Sequence, residues 1–243
     1  MRGFRNRCIL TSDDSPITTL SDLRGKRIGL SGWQDSGNTW TRALLLEAGV
    51  PVDSIQWTLS RITAADRFDP ERGKQFWDDR VVFHDPDETP LVDLLKAGKI
   101  DAIFQAFMPA DFYSEGYGLR QLQPDFVSQE KAWFGRAGFV PGIHILAMKA
   151  DFIAAHPEAP RQLCELLRAS QNLWLAKRRK YFETTPWLIA DLIDMAKSLP
   201  EDWDPVGLEP NRRMLDEFAR QQYLQKLTPV QRDADFLFPV KTI

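Results

Sequence analysis

The sequence predicts an α/β fold: a mostly parallel sheet in the first part of the chain and a helical part behind it. Three observations predict it. Apolar strand-like runs alternate with helix-period runs from residue 26 to residue 105. Strand signals fade after Ala150, where long amphipathic patterns take over. The composition is that of an ordinary globular domain, 243 residues with 43% hydrophobic and 27% charged side chains, enough to bury a sizeable core.

The elements follow in order. Residues 8–10 form a short apolar run, an edge or connecting strand, and residues 21–25 a turn. Residues 26–30 are a strand with a buried centre, and residues 31–39 a polar, glycine-bearing loop. Residues 40–48 have helical spacing, with Ser36, Asn38 or Thr39 as cap and Gly49 as the closing glycine. Residues 55–59 and 81–83 are the next strands, and residues 61–80 show no clear period. Residues 91–97 form a helix closed by Gly98, and residues 100–105 a strand. Residues 126–136 read as helix and residues 143–148 as strand. Residues 157–179, 186–199 and 211–224 are amphipathic helices, and residues 236–239 an apolar tail set to dock. There is no internal repeat and no low-complexity segment.

Charge and cysteine usage exclude several function classes. The 31 basic and 34 acidic residues give a net charge of -3, which argues against a nucleic-acid partner. The apolar runs are too short for membrane insertion. Residues 1–14 lack the apolar stretch of a secretory signal, so a cytoplasmic location is expected, or a periplasmic one if a signal lies upstream of Met1. Cys8 and Cys164 form neither a disulfide framework nor a metal pattern. Neither a phosphate-binding G-K-S/T loop nor G-x-G-x-x-G is present, and no cofactor or metal is expected.

Two places carry chemistry. Residues 31–39 feed a helix N-terminus, whose unpaired N–H groups favour an anion. That segment is either an ordinary capped helix start or a ligand site at the carboxyl end of a strand. Arg42, one turn in, is either a carboxylate grip or a solvated surface arginine. His144 is either a hydrogen-bonded core residue or a general acid. His84 and His156 read as turn and helix-start residues, and the charged run at residues 177–180 as a solvated helix end. The eight tryptophans are core residues or walls of a ligand cleft.

Several segments together resemble a known family. Ser21-Asp22-Leu23-Arg24-Gly25-Lys26-Arg27-Ile28-Gly29 resembles the D-L-R/K-G-K-x-I/V-G opening of type II periplasmic-binding-like proteins. Trp33-Gln34-Asp35-Ser36 through Trp40-Thr41-Arg42 is similar to the Tyr-Gln-Met-Thr and Trp-x-Arg segment of 4,5-dihydroxyphthalate decarboxylase and its homologues. Gly98-Lys99-Ile100-Asp101-Ala102 is similar to the G-x-I-D-A shared by both groups. Residues 138–144, ending in His144, are similar to that decarboxylase family's G-I/V-F/Y-P-x-x-H, and residues 207–212 to its G-I/V-E-x-N-R. Three departures stand out. The family's additional N-terminal segment has no room before Phe4, Phe107 stands near where its members bring an arginine, and Asp35 stands where they often have Met.

The resemblance implies a type II periplasmic-binding-protein-like fold, two lobes with mostly parallel sheets and the first lobe depleted. Residues 1–22 would be an inter-lobe strand and remnant of lobe I, 23–145 the α/β lobe II, and 146–243 the helical part completing lobe I. It also implies cofactor-independent decarboxylation of a hydroxylated aromatic carboxylate, with a solute-binding protein for a small organic anion as the alternative. On that reading His144 is the general acid/base and Asp35 a second acid. Trp33, Gln34, Ser36, Asn38, Thr39 and Arg42 hold the substrate. The expected partner is a small aromatic or organic acid, not nucleic acid or membrane, and a homo-oligomer is compatible with the chain.

Overall fold

The structure, a computed structural model, describes residues 2–76, 82–85, 87–105, 107–182 and 184–240. The chain divides into two compact units. The sheet unit comprises Gly3–Arg136 and Phe218–Gln231, and the second unit Met1–Arg2, Ala137–Glu217 and Arg232–Ile243.

The sheet unit has six strands: β1 (Ile9–Ser12), β2 (Arg27–Leu30), β3 (Gln56–Leu59), β4 (Val82–His84), β5 (Ala102–Phe104) and β6 (Leu119–Gln121). Their spatial order is β4-β3-β2-β5-β1-β6. β2 to β5 run parallel, with Ile28 opposite Trp57 on one side and Ala102 on the other, while β1 pairs antiparallel with both β5 and β6. The fold is therefore α/β with a mixed, mostly parallel sheet, as the alternating pattern predicts.

Strand alternation divides the core between two clusters. Ile28, Leu30, Trp57, Leu59 and Phe104 pack with Trp33 and Leu45, the latter from helix α1 (Ser36–Glu47). Leu10 and Ile103 pack with Leu91 and Leu95 of helix α2 (Leu91–Lys96). Each fully buried aliphatic side chain contributes roughly 1.5–3 kcal/mol. Gly29 allows α2 to come close, since a Cβ there would lie 2.7 Å from Leu91 Cδ2 and 2.9 Å from Ile100 Cδ1. Gly49 (φ +73°) and Gly98 (φ +65°) close α1 and α2 in the left-handed conformation that the sequence reading expects. Helix α3 (Phe126–Ala137) buries Trp133 edge-on against Trp40, ring centroids 6.5 Å apart.

The second unit is helical: α4 (Ala150–Ala155), α5 (Ala159–Arg178), α6 (Leu188–Ser198), the first half of α7 (Arg212–Leu224) and α8 (Ala234–Leu237). Arg2 ties it together, donating to the carbonyls of Val140 (3.3 Å) and Pro205 (2.9 Å) and to the Asn211 side chain. Arg212 bridges Glu209 and Asp235.

Several expectations need correction. β1 is interior, not an edge, because β6, too short to show a period, pairs along its outer side. α1 begins at Ser36 with Asp35 as N-cap, so Ser36, Asn38 and Thr39 lie in its first turn rather than at its cap. Residues 143–148 form no strand. Only Gly142 makes an isolated bridge, to Arg2, and Ile145 and Leu146 are exposed, with no strand beside them among the described residues. An apolar run makes a strand only where another strand pairs with it. His84 ends β4 and stacks on Phe68 at 5.2 Å, and His156 closes α4 instead of opening a helix. The C-terminal segment docks through buried Ala234, while Phe236 and Leu237 are exposed. Val81, read as strand, and residues 77–80 lie outside the described residues.

Candidate functional site

The carboxyl ends of the parallel strands share one edge of the sheet. From β2 the chain passes through α1 to β3 on one side, while β5 joins β2 on the other. At such a reversal the loops after the two central strands diverge and leave a crevice. The structure has one there, a cleft of about 610 Å³ lined by loops after β2, β3 and β5. Its lining includes Ser31 after β2, Arg67 and Arg72 after β3, and Gln105 and Phe107 after β5. The size suits a small organic molecule.

Its charges are unevenly committed. Arg72 Nη2 is 2.7 Å from Asp35 Oδ1. The Asp66 carboxylate accepts from the Thr63 backbone N–H (2.8 Å) and hydroxyl (2.7 Å). Arg67 is exposed and makes no ion pair with the described residues. Phe107, 70% exposed, adds an apolar surface to the crevice.

The junction from β2 into α1 is built by its own side chains. Asn38 donates to the Gly32 carbonyl (2.8 Å) and the Thr39 hydroxyl to the Asp35 carbonyl (3.2 Å). Both side chains are buried and shape the loop. Ser36, half-buried, opens the helix. Trp33 is buried edge-on against Trp57, ring centroids 5.4 Å apart, and its indole nitrogen has no hydrogen-bond partner. Gln34 rests against Gly73, where a Cβ would lie 2.1 Å from its Oε1.

Arg42 is not a surface arginine. Its side chain is fully buried and stacks on the Trp33 ring at 4.2 Å. Nε donates to Gln225 Oε1 and Nη2 to the Trp33 carbonyl, both at 2.7 Å. Gln225 in turn donates to the Thr39 carbonyl at 2.9 Å. Burial pushes the Arg42 guanidinium down to about 9, against an opposing pull from Asp35. Nη1 is left without a partner.

Gln105 was missed in the sequence, where it reads as the end of a strand. It is 2% exposed and both its amide atoms lack hydrogen-bond partners. Its backbone is fixed on both sides, by its N–H donating to Cys8 (3.0 Å) and its carbonyl accepting from Arg5 Nη2 (3.1 Å). Arg5 is itself buried against Gly37, and burial lowers its pKa. A polar residue directly after the apolar β5 run was the only signal that could have found Gln105.

Trp33, Gln34, Asp35, Ser36, Asn38, Thr39 and Arg42 thus gather at one loop–helix junction in the sheet unit. His144 belongs to the second unit, exposed and outside any regular element. Among the described residues no group of three or more His, Cys, Asp or Glu is placed to hold a metal, and no helix is long and apolar enough to cross a membrane.

The sheet and its crevice define an α/β protein with a cleft at the carboxyl ends of its parallel strands. Comparison with known proteins agrees with the resemblance read from the sequence. Residues 5–67 match the family model described as NMT1/THI5 like. The chain is 23% identical over 231 residues to a 4,5-dihydroxyphthalate decarboxylase of Comamonas testosteroni, covering 93% of this chain and 70% of that protein. It is 30% identical over 112 residues to a 4,5-dihydroxyphthalate decarboxylase of Pseudomonas putida, covering 46% of this chain and 43% of that one. Among solved structures it is similar to the periplasmic aliphatic sulphonate binding protein SsuA from Escherichia coli, with TM-score 0.40, 20% identity, 93% of this chain and 63% of that chain.

Proposed function

We propose that the protein binds a small hydroxylated aromatic carboxylate in the crevice after β2, β3 and β5 and decarboxylates it without a cofactor. The observation that carries the binding half is the crevice itself, sited where parallel sheets receive ligands and bordered by Arg67. The naming of two similar proteins as 4,5-dihydroxyphthalate decarboxylases supports the chemical half. In the reaction a proton adds to the ring carbon that bears the carboxylate. The bond to the carboxylate breaks, CO2 leaves, and its electron pair restores the aromatic ring. A ring hydroxyl ortho or para to that carbon stabilises the protonated ring. On the resemblance alone, His144 is the proposed proton donor, with a general-acid contribution of roughly a hundredfold to ten-thousandfold in rate. Asp35 is the proposed second acid, and Trp33, Gln34, Ser36, Asn38, Thr39 and Arg42 form the supporting junction.

One observation favours a second reading, binding of an organic anion without chemistry. The Asp35 carboxylate is held by Arg72, which commits it to an ion pair rather than to proton transfer. Proton NMR of the purified protein with hydroxybenzoates, dihydroxyphthalates and aliphatic acids separates the two. New ring-proton signals that vanish in His144→Ala support decarboxylation. Line broadening without new signals supports binding alone. Neither effect from folded protein overturns both.

A further inference from the structure

We infer that Gln105 selects the ligand by reading a hydroxyl group, so that the site takes a hydroxylated monocarboxylic acid in preference to a dicarboxylic one. This rests on the reading of the crevice as an organic-acid site. Gln105 lines that crevice, is 2% exposed, and has no protein partner for either amide atom. Native proteins rarely leave buried polar atoms unpaired, and such atoms ask for an explanation. Its backbone is tied to Cys8 and Arg5, so the side chain cannot relieve the deficit by moving its main chain.

The chemistry of the deficit names the missing group. A carboxamide presents N–H donors and an acceptor oxygen together. A hydroxyl both donates and accepts and satisfies both. A carboxylate only accepts, so it would serve the amide nitrogen and leave the amide oxygen facing negative charge. The surroundings agree. Phe107 and Met108, next along the same loop and lining the same crevice, offer no cation for a second carboxylate, whereas Arg67 on the loop after β3 can meet the first. The ligand therefore directs its carboxylate to the Arg67 side and its hydroxyl to Gln105.

The test is isothermal titration of the wild type, Gln105→Leu and Arg67→Ala with benzoate, the three monohydroxybenzoates and phthalate. The wild type should bind its best hydroxybenzoate about tenfold or more tightly than benzoate, and phthalate no better than benzoate. Gln105→Leu should bring hydroxybenzoate and benzoate within about twofold of each other while benzoate affinity holds. Arg67→Ala should weaken every acid in parallel. If Gln105→Leu does not melt cooperatively, Gln105→Met, unbranched like glutamine, replaces it. A wild type indifferent to the hydroxyl, a preference for phthalate, or a preference that survives in the variant overturns the role of Gln105 alone. If no acid binds the wild type, or Arg67→Ala changes nothing, the crevice reading itself fails and this inference fails with it.

Discussion

Replacing Gln105 by leucine should make the ligand-free protein more stable. In the wild type two buried amide atoms have no hydrogen-bond partner in the protein. Burying an amide without a hydrogen bond costs roughly 1–3 kcal/mol by protein mutational measures. Leucine is close in size, removes that penalty and brings its own apolar burial. Glutamine also loses more rotamer freedom on burial than leucine, by roughly half to one kcal/mol. These terms share a sign, and imperfect fit of the branched side chain opposes them by up to about 1.5 kcal/mol. The net expectation is a gain of about 1–2 kcal/mol. At roughly 2–4 °C per kcal/mol for a protein of this size, Tm should rise by about 2–8 °C. Tryptophan fluorescence can follow this, because Trp33, Trp40, Trp57 and Trp133 are all buried in the sheet unit. Urea titration should show a higher midpoint at unchanged slope. Saturating acid should stabilise the wild type more than the variant and narrow the gap. A loss of about 1 kcal/mol or more would refute the reasoning, because it would mean that the amide already has good partners in the free protein.

Three further outcomes are expected. Arg42→Lys should destabilise by about 2–3 kcal/mol, since lysine keeps the buried charge but cannot make both 2.7 Å bonds, to Gln225 and to the Trp33 carbonyl. Arg42→Met, which removes the charge, should cost less, and denaturant melts that reverse this order contradict the burial argument. Burial pushes Glu130 up to about 7 from its ordinary 4.5, so the folded state holds a proton that the unfolded chain releases. Its contribution to stability is therefore present below about 4.5 and declines as pH rises towards about 7. Glu130→Gln should gain about 1 kcal/mol over wild type near pH 8, after discount for partial exposure, and nothing near pH 4, as read by urea melts at both. Gly73→Ala should cost about 1–2 kcal/mol, because φ is +81° and the added Cβ would sit 2.1 Å from Gln34 Oε1. It should also weaken acid binding by displacing Gln34, and an unchanged melting curve would count against the close approach.

What could be read from the sequence was what depends on local pattern. β2, β3, α5, α6 and α7 follow from apolar spacing, and the ends of α1 and α2 from Gly49 and Gly98. The start of α1 was misplaced because Ser36, Asn38 and Thr39 are all good caps, and only the fold shows that the residue before them takes that position. The interior place of β1 depends on β6, a three-residue pairing partner more than a hundred residues away. The strand expected at residues 143–148 rested on an apolar run, and whether another strand pairs with such a run is not written in the run itself. At the site, spacing located the loop–helix junction but not the condition of its groups. Arg42 could be read from the sequence only as a carboxylate grip or a surface residue, because charged side chains are seldom fully buried. That it lies under Trp33, bonded to Gln225, is a contact across 183 positions that no local pattern encodes. Gln105 was hidden for a similar reason, since an unpaired amide is visible only once every neighbour is in place.

The distribution of unpaired polar atoms separates the two ends of the sheet. Among the described residues, buried side-chain atoms without partners belong to Trp33, Gln34, Arg42, His84 and Gln105. Trp33 and Gln34 follow β2, Arg42 lies in the helix those residues open, His84 ends β4, and Gln105 follows β5. Every one of them therefore belongs to a strand's carboxyl end or to the segment leaving it. At the opposite end, Asp101 accepts from the Arg27 backbone N–H and from its Nε and Nη2 at 2.7–3.0 Å, and the Thr11 hydroxyl donates to the Asp101 carbonyl. A uniform failure of packing would scatter such deficits through the core. They are confined to one end of the sheet, and Gln105 among them lines the crevice proposed to hold the ligand. The same asymmetry explains why Asn38 and Thr39, which turn their side chains onto backbone carbonyls, give the junction its shape. On the proposed function, the unpaired amide of Gln105 is the group that would discriminate between ligands.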